Sequence, residues 1–271
     1  MNISKALLLT ILFAIFFHIS QVGLYFLFIG SEIFPEYFKN HWGLINIVSF
    51  ISAYLVIFKY FWVNKPSVKI ISDFKGLNLT NLIYLILIVF GLQLIDRPFW
   101  DMDKIWSYII VSEFNNEISY FNGFTPAFIY SSIVSLIVSP IFEELFYRKF
   151  LLVELMHKNK KITSIIVSSL CFSILHIETP LNLIPTFIFG IISSIIFIKT
   201  NKIGYSIVLH FLMNLLIQTL YVFDFTIDRW LFDLNFNLTY WSIFLIGIGI
   251  TYLGIKKLLS TAHPVKSTRF N

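Results

Sequence analysis

The chain has 271 residues, 57% of them hydrophobic and only 13% charged, with a formal net charge of +5. A soluble domain carries about a quarter charged residues, so a soluble enzyme or scaffold is excluded. The apolar runs are long and continuous, not short and alternating, which excludes a membrane β-barrel and leaves an all-α, polytopic transmembrane helical bundle. The positive balance is accounted for by basic loops on one side of a membrane and calls for no nucleic-acid partner.

The first apolar run, Ala6 to Ile29, is too long for a signal-peptide core and has no small-residue cleavage site after it, so it reads as a retained span. Further spans are expected at Trp42–Val63, Leu79–Ile95, from Pro126 onward, Ile162–Ile177, Leu181–Ile198, Ile203–Phe223 and Leu238–Ile255. The third and fifth are the shortest. Between the third and fourth lies a semi-polar segment, Asp96 to Phe124, whose Trp100, Trp106, Tyr108, Tyr120 and Phe121 suit a membrane interface. About eight spans put both termini on one side. Sixteen of the 20 Lys and Arg fall on that side, and Lys39, Arg97, Lys104 and Arg229 on the other, so both termini are expected in the cytoplasm. Three regions follow: residues 1–125 with the N-terminal spans and interfacial segment, 126–223 with the polar motifs, and 224–271 with the last span and a loose polar tail. The lone Cys171 has apolar neighbours and reads as packing. Enrichment in Ile, Phe, Lys and Asn suits an AT-rich bacterial genome, hence a bacterial cell membrane.

The fourth span contains I-F-E-E-L-F-Y-R-K, residues 141–149. The apolar run resumes at Phe150 and continues to Met156, so a helix reaching about His157 sinks Glu143 roughly 21 Å from its end. Charged groups at that depth are costly and usually functional. Glu144 and Arg148, four residues apart, share a face and can pair. Glu143 is turned by about 100° and points elsewhere, free for chemistry. Lys149 can snorkel to the headgroups.

Two other spans present polar groups at helical spacing: Phe172 and His176 in the fifth, His210 and Asn214 in the seventh. A glutamate, alone or with a histidine, can take a proton from water, while histidine and asparagine can donate to an oxyanion. Alternatively Glu143, His176 and His210 could hold a divalent metal such as zinc with an open water position. Taken singly, a buried histidine or asparagine is more often a satisfied interhelical group; it is their joint occurrence that points to a site.

Glu143-Glu144-x-x-x-Arg148, Phe172-x-x-x-His176 and His210-x-x-x-Asn214, in that order on separate apolar helices, resemble the CPBP intramembrane proteases, the Abi family of type II CAAX prenyl endopeptidases and bacteriocin-processing enzymes. The resemblance spans about Pro126 to Phe223. It implies an intramembrane endopeptidase in which Glu143, helped by His176, activates the attacking water, His210 and Asn214 stabilise the oxyanion, and Glu144 with Arg148 forms a structural ion pair. The family is commonly labelled a metalloprotease, and a metal-free attack by glutamate-activated water is the other mechanism it implies. The expected partners are membrane lipids and a peptide or protein substrate near the membrane, such as a bacteriocin leader or peptide pheromone by analogy. A bacteriocin-immunity or peptide-binding protein on the same scaffold is the rival reading. A transporter is the third class, disfavoured because no inverted repeat or pair of Gly/Pro-broken spans is present.

Overall fold

The structure, a computed structural model, describes residues 1–30, 41–62, 73–111, 121, 123–223, 230–231 and 233–262, apart from the side chains of residues 29, 30, 103, 108 and 111. Of the residues named above, Lys39, Val63, Tyr120 and Arg229 lie outside the described residues, as do Lys65, Lys69, Lys266 and Arg269, four of the sixteen basic residues counted on the side of the termini, and the tail beyond Ala262.

The described residues form helices and no strands. They are α1 (Ile3–Tyr25, continued by a π-helical turn Phe26–Gly30), α2 (Trp42–Tyr60), α3 (Leu79–Trp100) and α4 (Met102–Val111). Then come the long α5 (Pro126–Met156), α6 (Lys161–Ile174), α7 (Leu183–Thr200), α8 (Ile203–Phe223) and α9 (Leu238–Thr261). Seven of these, all but α4 and α6, are long and apolar enough to cross a membrane, and the protein is a multi-pass membrane protein. The expected fifth span is the exception. It is α6, whose 14 residues extend about 21 Å against a hydrocarbon core of about 30 Å.

The third span is longer than expected. It runs through Asp96, Arg97 and Pro98 to Trp100, so the first residues of the interfacial segment belong to a membrane helix. Arg97 and Asp101, one turn apart, form an ion pair at 2.7 Å that carries the chain into α4. The Tyr240 hydroxyl donates to Asp101 at 3.0 Å and ties α9 to this end.

The other end of the bundle gathers the remaining turns. The Met1 amino group donates to the Glu154 carbonyl, Tyr205 donates to the Gly76 carbonyl at 3.0 Å, and Thr261 donates to Asn81 at 2.7 Å. The start of α1 therefore sits beside the end of α5, and the starts of α3 and α8 beside the end of α9. The turn from α7 to α8 takes only two residues. Asn201 closes α7 in the left-handed region at φ 54°, its N–H on the Phe197 carbonyl, a conformation asparagine tolerates.

Small residues set how closely the helices pack. The most extensive pairing is α3 with α9. There a β-carbon on Gly91 would lie 2.2 Å from Thr251 Oγ1 and 2.8 Å from the Gly247 carbonyl. Close backbone approach is the main source of helix association where lipid replaces water.

Candidate active site

Helix α5 is not a uniform α-helix. Residues Val134–Val138 and Leu145–Leu152 are π-helical, on either side of the α-helical turn Ser139–Glu144. Such segments are rare and concentrate at functional sites. The first has an identifiable cause. The Ser139 N–H bonds the Val134 carbonyl, and the next amide in that ladder belongs to Pro140, which has no N–H. The carbonyl of Ser135 is left to a side chain.

Glu144 and Arg148 are fully buried, and their spacing brings Arg148 Nε to 3.2 Å from Glu144 Oε2, as four-residue spacing predicts. A third residue completes the pair. Arg148 Nε donates to Ser193 Oγ at 3.2 Å, and Ser193 Oγ donates to Glu144 Oε2 at 2.8 Å. The guanidinium carbon lies 4.9 Å from the centre of the Phe172 ring. Among the described residues Arg148 Nη1 and Nη2 have no hydrogen-bond partner, so the aromatic face takes up charge that oxygens do not.

The two carboxylates converge on one imidazole. His210 Nδ1 lies 3.2 Å from Glu144 Oε1, and His210 Nε2 lies 3.9 Å from Glu143 Oε2. Glu143 therefore does not face different surroundings from Glu144, as a rotation of 100° suggests; the length of His210 spans the gap between them. The rings of Phe189 and Phe172, centred 5.0 and 5.8 Å away, hold the imidazole in place. An ionised carboxylate only accepts, so beside Glu144 the imidazole presents an N–H at Nδ1, and in that tautomer Nε2 is an acceptor. Glu143 Oε2 is buried and has no hydrogen-bond partner among the described residues. Two acceptors thus face each other, too far apart for a direct hydrogen bond and close enough for one water at roughly 2.8 Å to donate to both.

His176 is linked to this pair through the Phe172 ring, and Asn214 follows His210 by one turn of α8. His176 is half-buried in the turn after α6, beyond the end expected for a helical residue, and its Nδ1 lies 3.0 Å from the Phe172 carbonyl. The Phe172 ring touches both imidazoles, with His176 centred 5.0 Å away. The Asn214 amide donates to the freed Ser135 carbonyl at 2.6 Å, and not to the carboxylates. Lys149 pairs with Asp73, where snorkelling to headgroups was expected.

Among the described residues no group of three or more His, Cys, Asp or Glu is placed to hold a metal ion. Glu143 and His210 supply two converging donors, short of the three protein ligands a catalytic zinc takes, so the set Glu143, His176 and His210 does not fit the ion in this arrangement.

The fold and this cluster define a multi-pass membrane protein with a carboxylate–imidazole site buried among its helices. Residues 125–216, about a third of the chain, match the family model described as Type II CAAX prenyl endopeptidase Rce1-like. That match is consistent with the CPBP intramembrane proteases and takes in every motif residue from Glu143 to Asn214. No curated protein and no solved structure matches the chain.

Proposed function

We propose that the protein is an intramembrane endopeptidase that hydrolyses a peptide bond in a membrane-associated peptide or protein. The observation that carries this reading is the pair of facing acceptors, Glu143 Oε2 and His210 Nε2, 3.9 Å apart. A water donating to both has its lone pairs turned outward, toward a carbonyl carbon. Glu143 takes the proton as general base and later returns it to the leaving amine. Glu144 keeps His210 in the tautomer that accepts, and its own charge is met by Arg148 and Ser193. As the substrate settles, His176 on the rim assists proton movement, and the second N–H of Asn214 is available to the developing oxyanion, worth about 100-fold or more in rate for one such donor. The basic end of the bundle faces the cytoplasm, with both termini.

The test is to compare newly formed N-termini among membrane proteins and peptides of cells producing the native chain or Glu143→Gln. A set of cleavages present with the first and missing with the second is expected. Identical sets, with the variant correctly folded in the membrane, overturn the proposal.

A further inference from the structure

The two helices that hold Glu143 and His210 continue past the site and part around an open cleft of about 250 Å³. Phe128, Ser131 and Ser135 of α5 form one wall, and Asn214, Ile217, Gln218 and Tyr221 of α8 the other. Asn214 stands one turn beyond His210, so the cleft begins where the site ends and runs away from Lys202 toward the far end of α8.

Its chemistry is selective. Gln218 Nε2 donates to Ser132 Oγ at 2.8 Å and reaches Ser135 Oγ at 3.4 Å, while Asn214 donates to the Ser135 carbonyl. Both amides therefore point their nitrogens at α5, and no described residue donates to either amide oxygen. No charged residue lines the cleft. An acyl chain would leave the two amide oxygens without a donor. A phosphate headgroup would find no Arg or Lys to bind it. A polypeptide backbone, with one N–H and one C=O per residue, matches side-chain amides and hydroxyls in both roles. Aromatic rings bound the far end, Tyr221 stacking on Phe128 at 6.4 Å and meeting Phe121 edge-on at 5.7 Å.

We infer that this cleft is the docking subsite for an extended, uncharged stretch of substrate polypeptide flanking the scissile bond, and that Gln218 is a substrate-positioning residue accepting a backbone N–H of that stretch. The inference rests on the endopeptidase reading for its substrate, but its test reads binding and not cleavage. The probe is an N-acetylated, C-amidated nonapeptide of alternating Ala and Leu with one central benzoylphenylalanine, photo-crosslinked to the full chain in lipid nanodiscs. Crosslinks are expected within residues 126–135 and 214–221, at equal yield in Glu143→Gln. Gln218→Leu should lower the yield about fivefold, the worth of one hydrogen bond. Ser131→Trp, at an exposed wall position, should block the cleft and lower it at least as far. The same nonapeptide without the photoprobe and with a central Asp should fail to compete. Crosslinks elsewhere, or yields indifferent to both variants, overturn the subsite. Cleavage that persists in Glu143→Gln cells overturns the endopeptidase reading and leaves the crosslinking result standing by itself.

Discussion

Glu144 Oε1 and His210 Nδ1 meet at 3.2 Å, joining α5 to α8 in the interior of the bundle. That contact makes the adjacent acids unequal. Glu144 has Arg148, Ser193 and His210 as partners, whereas Glu143 Oε2 has no hydrogen-bond partner among the described residues. Glu143→Gln should therefore lower hydrolysis by about 100- to 10,000-fold, the usual worth of a general base, with little effect on folding. Glu144→Gln should impair both, because it strands a buried guanidinium. Turnover of a reconstituted substrate beside thermal unfolding in detergent separates the two outcomes.

Arg148→Met tests the ion pair from the other side. Removing one partner of a buried pair leaves an uncompensated charge and costs about 3–5 kcal/mol. Replacing both, as Glu144→Gln with Arg148→Met, should recover much of that loss. Unfolding titrations of the single and double variants give the coupling directly. A double variant no more stable than Arg148→Met would mean that Arg148 matters for its volume and its contact with Phe172, not for its charge.

Gly190 controls how closely α6 and α7 approach. A β-carbon there would lie 2.9 Å from Ser169 Cβ and 3.1 Å from its Cα, so the helices must separate. Overpacking of this kind costs about 1–3 kcal/mol. Gly190→Ala should lower the unfolding midpoint and also activity, since α6 carries Phe172 and α7 carries Ser193. Gly23→Ala, where nothing lies within 4 Å, is the matched control and should change little.

The donor geometry bears on metal dependence. Glu143 and His210 Nε2 converge, Glu144 is taken up by Arg148, Ser193 and His210 Nδ1, and no group of three His, Cys, Asp or Glu among the described residues is placed to hold an ion. Purified protein is expected to hold much less than one zinc per chain, and chelator treatment should leave hydrolysis intact. A stoichiometric metal that is lost together with activity in His176→Ala would show that the turn after α6 moves inward to complete a metal site.

The fold class was legible in composition, and the Glu144–Arg148 contact in its spacing, because both depend on local regularities. Ser193 was not, since it acts across 49 residues of sequence and a serine in an apolar helix is unremarkable by itself. His176 continues the apolar period of α6, so the sequence pattern carries it into the helix, whereas the chain turns after Ile174. The partner of Asn214 had a signal, Pro140 in the middle of a span. Reading it requires knowing that the preceding turn is π-helical, which decides the carbonyl that loses its donor. The placement of His210 between both acids is a tertiary fact, set by the short α7–α8 turn at Asn201.

Helix α8 carries His210 and Asn214, then Gln218 and Tyr221, and the segment that matches the protease family stops between them at residue 216. One stiff rod thus bears two kinds of position. On the proposed reading, exchanges at 218 and 221 should alter how the cleft holds a polypeptide without touching the imidazole two turns or more away. A chimera that keeps residues 125–216 and borrows the following turn from a relative should inherit the relative's preferences while keeping its own rate of bond cleavage.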